Sequence, residues 1–437
     1  MGRWERVAVP PDVQGATRRE REGGHYLRYH PSLMPVSRSV VDPELAELVA
    51  DASVRVATLG QKLRDRPRRL LYATLLRSES IASSWIEGLR DTPRNVLAAR
   101  LDGVQGTSTT SHEVLRNIDA MADAVTRLAA AEWSHDDIHR VHDTLLPGHA
   151  FGAYREEQVY IGGRSPLTAQ YVAPPCDEIG PLMDDLLRYV RTTGDPPLVA
   201  AALVHAQFET VHPYADGNGR TGRALFHAVL ARSGLVDHGV LPLSLVLRDD
   251  VRGYVSALTA FRPGAQEPTV LAAARGEYLT YLLHAVLDAV QIADATFAEV
   301  DEVLTRWAAY VHRLRADSSV HRVIELLVDQ PVVTPGFVMD ALGIARATAG
   351  TALSDLERVG IVQRAGGRFR GQRIYQAGDV LAVLDAHVPG PPTVVVPPMP
   401  DAVPVRTYGG ERCGVPLPRR RVPCTRATGH PGPHRAG

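Results

Sequence analysis

Residues 210 to 223 read TVHPYADGNGRTGR and gather an imidazole, a carboxylate, an amide, three glycines and two arginines within one short stretch. A packed core has no need of that set: charge so dense is hard to bury without partners, and glycines at this frequency weaken the interior of any helix or strand. Two readings compete. Gly217 to Gly222 matches G-x-G-x-x-G, the dinucleotide-binding fingerprint, with Asp237 at about the 20-residue spacing that pattern expects. Alternatively, the stretch is a loop feeding a helix N-terminus, where backbone N–H groups and the helix dipole hold phosphates and His212 acts as a base. The fingerprint requires a buried strand in front of it. The preceding PPLVAAALVHAQFETV is Ala-rich and spaced like a helix. The dinucleotide reading therefore fails on context, and the segment predicts a helix–loop–helix in a mainly α-helical protein.

Outward from this loop, the chain of 437 residues is long enough for two or three domains with their own cores. Hydrophobic residues make up 45% and charged residues 22%, and the net charge of −1 provides no global field toward nucleic acid or acidic substrates. Any basic surface must be local. The N-terminus has no apolar run of signal-peptide length and nothing approaches a membrane span, so no membrane association and a cytoplasmic location are expected. Cys176, Cys413 and Cys424 are too few for a disulfide framework, which agrees with a reducing compartment. Lys62 is the only lysine, a bias that reads as genomic base composition rather than function.

After forty polar, Pro-punctuated residues, DPELAELVADASVRVATLGQKL and PRRLLYATLLRSESIASSWIEGL carry the i, i+3, i+4 spacing of amphipathic helices. HEVLRNIDAMADAVTRLAAA and SHDDIHRVHDTLL continue the helical pattern, with Ser134, Asp136 and Asp137 marking a capped start. The one segment with strand character is EQVYIGG followed by QYVAPP, two short β-branched and aromatic runs that fit a hairpin. Helices resume from Pro196 to about Arg315, and Gly234 is placed to end GRALFHAVLARSGL. Residues 319 to 376 then read as helix, helix with Thr334-Pro335 as cap and first turn, helix, and a hairpin turning at Gly366-Gly367, the order of a winged helix-turn-helix. The tail from about 389 is Pro- and Arg-rich and reads as mostly disordered.

The central residues make chemical sense together. A Ser, Thr or Tyr hydroxyl is a poor nucleophile near neutral pH, and His212 is placed to take its proton. His205, His139, His142 and His227 read as packed or orienting residues. Asp216 suits Mg²⁺ between phosphates, because a hard cation takes one or two carboxylates from the protein and oxygens from the substrate. Gly217 and Gly219 let the backbone approach phosphates, Asn218 offers an amide donor at the helix entry, and Arg220 and Arg223, three apart, present donor forks to the β- and γ-phosphates. Thr221 and Gly222 serve packing and clearance.

The stretch from His212 resembles the Fic motif H-x-F-x-[DE]-G-N-G-R-x-x-R, departing from it only in Tyr214 for Phe, a change that leaves a hydroxyl in need of a partner if buried. Similarity extends over roughly residues 29 to 300, through YHPSLMP, SESIASSWIEG, YREEQVYIGG and QYVAPP. The resemblance implies a Fic/DOC-family protein adenylyltransferase with a helical fold, transferring AMP from ATP to a protein hydroxyl and releasing pyrophosphate. Together with the element order and composition of the C-terminal part, it divides the chain into an N-terminal helical region (1–105), a catalytic core (106–315), the winged helix (316–388) and the tail (389–437). It also makes Val159, Tyr160, Ile161 and Gln170, Tyr171, Val172 a flap, whose open strand edge pairs with an extended target segment. Self-modification is the simplest case of such targeting.

Ser83, Glu87 and Gly88 fit the family's inhibitory pattern [ST]-x-x-x-E-[GN], which implies an inhibitory helix in the same chain. A carboxylate from it would pair with Arg223 and repel the γ-phosphate. The same Glu87 could instead orient water for removal of AMP, the reverse chemistry. In the winged helix, Arg346, Arg364, Arg368, Arg370 and Arg373 suit DNA phosphates, although Asp340, Asp355 and Glu357 lie nearby and such modules also dock proteins or form homodimers. Cys413, Cys424, His430 and His434 carry one zinc-like spacing, the last, within a tail that otherwise reads as disordered. Adenylyl transfer, its reversal, transfer of another phosphate-linked group, and regulation through the winged helix are the functions the sequence leaves open.

Overall fold

A computed structural model describes residues 2–15, 17–36, 39, 42–65, 69–101, 107–130, 132–148, 152–236, 240–263, 267–311, 318–369 and 372–387. The chain divides into two compact units, one of residues 1–58, 119–238 and 249–286, the other of 59–118, 239–248 and 287–437. The protein is mainly helical, as its periodicity predicts. In chain order the elements are β1 (Arg3–Val9), α1 (Arg18–Glu22), β2 (Gly24–His30), α2 (Pro43–Asp65), α3 (Arg69–Ile86), α4 (Pro93–Ala98), α5 (Thr109–Ala130), α6 (His135–Leu145), β3 (Tyr160–Ile161) and β4 (Tyr171–Val172). There follow α7 (Cys176–Thr192), α8 (Pro197–Val211), α9 (Asn218–Arg232), α10 (Leu243–Asp249), α11 (Val251–Ala260), α12 (Pro268–Val311), α13 (Ser319–Asp329), β5 (Val332–Val333), α14 (Pro335–Leu342), α15 (Arg346–Arg358), β6 (Gln363–Phe369), β7 (Gln372–Gln376) and α16 (Gly378–Asp385).

The first unit is built around α8. Its Ala-rich sequence lacks a polar face, so it is buried all round, from Leu198 to Val211, and α7, α9 and α11 pack on it. Small residues allow the closest approach: a methyl group on Gly222 of α9 would stand 3.2 Å from the Phe208 ring and 3.1 Å from Glu209 Oε1 on α8. Helix α6 begins as its sequence predicts, with Ser134 and Asp137 forming a reciprocal capping box.

One expectation fails here. The flap is not the only segment with strand character, because β1 and β2 form an antiparallel hairpin pairing Trp4 with Tyr29 and Arg6 with Leu27. Charged residues on its exposed positions, and the Pro10-Pro11 and α1 interruption between the strands, hide a period-2 pattern that only half-buries. The flap strands β3 and β4 pair over two residues each.

In the second unit α13 and α16 pack against α3, and α13, α14 and α15 pack together. Strands β5, β7 and β6 form a three-stranded antiparallel sheet in that order. Leu97, Leu101, Val332, Ile374, Leu381 and Leu384 make one apolar cluster. Thr334 caps α14 with Pro335 at its first turn, as expected. The Gly366-Gly367 pair, expected as the hairpin turn, instead lies within β6, where the register shifts between Ala365 and Arg368. Glycines tolerate a bulge as readily as a turn, and the pairing continues past them to Phe369 with Gln372.

The polar run SESIASS on α3 is buried, and several of its polar groups have partners. The Glu79 carboxylate accepts the Ser244 backbone N–H at 2.6 Å and its hydroxyl at 2.5 Å. The Asn117 carboxamide donates to Ser80 O and Ser84 Oγ, and Arg77 donates to the carbonyls of Val328 and Asp329. Helix α3 ends at Ile86, so Glu87 stands exposed just past the helix rather than on it. Gly88 has φ of 84°; its N–H bonds Trp85 O at 3.0 Å and the Leu89 N–H bonds Ser84 O at 3.0 Å. That is the Schellman closure, which calls for a left-handed residue at position 88, and glycine and asparagine are the residues that accept it.

Among the described residues no helix is long and apolar enough to cross a membrane. The tail, with Cys413, Cys424, His430 and His434, lies outside the described residues.

Candidate functional site

The loop between α8 and α9 holds His212 in the left-handed region at φ 51°, ψ 60°, unique among the described non-glycine residues. That conformation costs roughly 1–2 kcal/mol, and a set of contacts holds it. The His212 N–H closes α8 on Phe208 O at 2.8 Å. The buried Arg155 guanidinium donates to His212 O at 2.8 Å and to Pro174 O at 2.7 Å, while its backbone N–H bonds Pro213 O at 2.9 Å.

The imidazole itself is 17% exposed. Its Nδ1–H donates to Glu209 O at 3.4 Å, which fixes the tautomer that leaves Nε2 with the lone pair. Burial depresses its pKa to about 3, the bond to Glu209 O opposes the shift, and the positive charges of Arg262 and Arg155 add to it. His212 is therefore neutral across the whole physiological range, the state a general base requires.

Tyr214 is buried and does find its partner. Its hydroxyl bonds His139 Nδ1 at 2.8 Å, and its ring stacks on His142 with centroids 3.8 Å apart. His142 Nε2–H donates to Asp216 O at 2.9 Å. The two histidines on α6 thus brace the loop from behind.

Asn218 spans the loop in both directions, accepting the Tyr214 N–H on Oδ1 at 2.9 Å and donating from Nδ2 to Tyr214 O at 2.8 Å. Gly217 has φ of 79° as N-cap of α9, and a side chain there would meet Leu146 Cδ1 at 2.8 Å. Its glycine is required by the backbone and by α6, whatever approaches from outside. Gly219 lies in the first turn of α9.

Asp216 is the outward-facing member, with its side chain 67% exposed; Oδ1 accepts the Gly217 N–H at 2.6 Å and lies 3.6 Å from Arg220 Nη2. An exposed carboxylate beside a helix N-terminus fits Mg²⁺ as a single protein ligand alongside phosphate oxygens. No cluster of three His, Cys, Asp or Glu side chains competes for a metal among the described residues. Arg220 is 2% and Arg223 1% exposed. The charge of Arg223 reaches His205, whose pKa burial in the first place lowers to about 3. His205 is a packed residue, held between the hydroxyls of Tyr278 at 2.7 Å and Tyr254 at 3.0 Å.

The flap is tied to the same loop. The Tyr171 hydroxyl donates to Thr210 O at 2.7 Å, and the Arg262 guanidinium stacks over the Tyr171 ring at 3.7 Å while Nε donates to Thr210 Oγ1 at 3.3 Å. Val159 and Ile161 pack on Tyr29 and Tyr171, Tyr160 pairs with Val172, and the Gln170 N–H bonds Ile161 O at 2.9 Å.

Sequence reasoning missed Arg155, Glu209 and Arg262. Arg155 sits inside the recognisable YREEQ run, and Glu209 lies three residues before His212, so both were within reach. Nothing in the sequence around Arg262 signals its position. In the second unit Arg364 is ion-paired with Glu357 at 2.8 Å, while Arg346 and Arg373 are exposed. Arg370 and the side chain of Arg368 lie outside the described residues.

Residues 132–230 match the Fic/DOC family and residues 46–126 the Fic/DOC family N-terminal region. These matches place both regions of the Fic/DOC family within residues 46–230 of the chain. The chain is 37% identical over 107 residues to protein adenylyltransferase fic-1 of Caenorhabditis briggsae, a match covering 24% of this chain and 20% of that protein. It is 31% identical over 150 residues to protein adenylyltransferase Fic of Drosophila willistoni, covering 32% of this chain and 28% of that protein. The chain thus spans under a third of the length of these curated relatives. Among solved structures, a Fic family protein from Desulfovibrio desulfuricans G20 aligns with a TM-score of 0.48 and 25% identity over 79% of this chain and 99% of that one.

Proposed function

We propose that the protein is an adenylyltransferase that moves AMP from ATP to a Ser, Thr or Tyr hydroxyl of a protein, itself included. The observation that carries this reading is the neutral His212 imidazole, its Nδ1–H engaged and its Nε2 open, beside the N-terminus of α9. The phosphates of ATP would lie at that N-terminus, met by backbone N–H groups and by Arg220 and Arg223. Asp216 would hold Mg²⁺, which supplies neutralisation of phosphate charge. An extended target segment pairs with the flap and brings its hydroxyl to His212. Nε2 takes the hydroxyl proton as the oxygen attacks the α-phosphorus, the bond to the bridging oxygen breaks, and pyrophosphate leaves. Glu87 would restrain the reaction by pairing with the arginine needed for the γ-phosphate, a role that the S-x-x-x-E-G pattern supports. The elements from α13 to β7 follow the order of a winged helix, with Arg346 and Arg373 as its phosphate-facing candidates.

Intact mass of the purified protein with and without MgATP tests the transfer. One added adenylyl group per modified site supports it. No mass change with ATP, together with labelling by another nucleotide or diphosphate-linked donor, would assign a different transferred group to the same loop.

A further inference from the structure

The β1–β2 hairpin has no place in the function so far, yet it stands directly beside the flap. The face bearing Trp4, Arg6, His25, Leu27 and Tyr29 looks onto β4: Trp4 lies 4.8 Å from Tyr29 and 6.3 Å from Tyr171, ring centroid to centroid. These aromatics close one end of the space between the two hairpins. The rest opens into a cavity of about 500 Å³ whose lining includes Arg6, Arg19, His25, Leu27, Leu167 and Gln170. No carboxylate lines it. Arg6 and Arg19 are exposed, and among the described residues neither forms an ion pair, Arg6 contacting only His25 Nδ1 at 3.3 Å. Leu27, at 54% exposure, leaves an apolar surface between those cations.

The hairpin is a fixed wall. His30 bonds Glu178 on α7 at 2.7 Å and Glu5 at 2.9 Å, and Glu5 also pairs with Arg28.

We propose that this cavity receives an acidic stretch of the target protein, flanking the hydroxyl that the flap presents. The proposal rests on the reading of the flap as the target dock. Backbone pairing along a flap strand is blind to side chains, so selectivity must come from what stands next to it. Two arginines and a histidine without carboxylate partners favour anionic side chains, and Leu27 and Leu167 favour an apolar neighbour between them.

The test uses the full chain and two fluorescein-labelled peptides, each with a central threonine in a glycine–alanine background. One carries glutamates and the other lysines on both sides of the threonine. Fluorescence anisotropy at low salt should show the acidic peptide binding roughly tenfold tighter, the effect expected of one or two charge-assisted contacts. Arg6→Gln/Arg19→Gln should abolish the preference, and Arg6→Glu/Arg19→Glu should invert it. Arg18→Glu, on the same short helix but outside the cavity lining, should leave it unchanged. Equal binding of the two peptides, no binding of either, or a preference surviving loss of both arginines would overturn the proposal. The transferase reading is scored separately, by adenylylation of the same peptides. Charge-selective binding without labelling would sink the transferase alone, and labelling indifferent to charge would sink the cavity alone.

Discussion

His212, the base of the proposed transfer, sits in a backbone conformation that its own side chain does not favour. The left-handed backbone turns its ring out of α8, and Arg155 holds the carbonyl behind it. Replacing His212 with Ala should lower adenylyl transfer at least ~100-fold, the low end of general-base contributions, while ATP binding, read by calorimetry, stays within a few-fold of wild type. Retained labelling would reject the base. The pH profile is a second check. A pKa near 3 means that the acid limb of kcat/KM should not fall near 6.5, the ordinary histidine value, but well below it. Asn218→Ala probes the loop itself: it removes two buried hydrogen bonds to Tyr214, so a loss of about 1–3 kcal/mol in stability is expected, together with a fall in kcat. An unchanged urea midpoint would show that the loop stands without its clamp.

At the level of elements, what was legible depended on whether a residue's role is local. The α8–loop–α9 arrangement, the Ser134 and Thr334 caps and the short β3–β4 hairpin all follow from spacing, strand propensity and capping chemistry, which act within a few residues. The β1–β2 hairpin was not legible, because its apolar side is completed by Tyr171, far along the chain. Arg262 escaped for the same reason: it meets Thr210 and Tyr171 only once the unit has folded. The turn after α3 lies between these cases, since the Schellman closure explains Gly88 but not the charge of Glu87. If Glu87 restrains the enzyme through Arg223, Glu87→Gly should raise self-labelling with ATP, whereas most substitutions elsewhere do nothing or destabilise. In the double variant with Arg223→Ala the gain should largely vanish. Equal or lower labelling in Glu87→Gly would reject the restraint. A gain independent of Arg223 would keep the restraint and discard the ion pair.

Across the whole molecule, several histidines are folded into places where they resist protonation. His205 and His212 are depressed to about 3 and His387 to about 4, each chiefly by burial. The groups around them do not reverse this. His205 faces Arg223, Tyr254 and Tyr278, with Glu209 Oε1 3.8 Å away; His212 faces Arg155, Arg262, Glu209 and Asp216; His387 faces Arg248 and Thr296. In the unfolded chain these groups titrate near 6.5. Between that value and the folded values the unfolded state binds more protons, so stability rises with pH there and falls on acidification. Each histidine contributes up to ~1.4 kcal/mol per pH unit within its window. The Glu5 carboxylate, held down to about 2 by hydrogen bonds from His30 and then Arg28, acts in the same direction below its ordinary 4.5. The protein should therefore lose stability from about pH 6.5 downward, with Glu5 adding to the loss only below its ordinary 4.5. Urea midpoints at pH 7.5, 6 and 5 should decline in order, and His205→Gln should flatten the decline because its side chain does not titrate. A midpoint constant between pH 7.5 and 5 would mean that the unfolded and folded histidines titrate alike, and that burial does not keep His212 in its basic form.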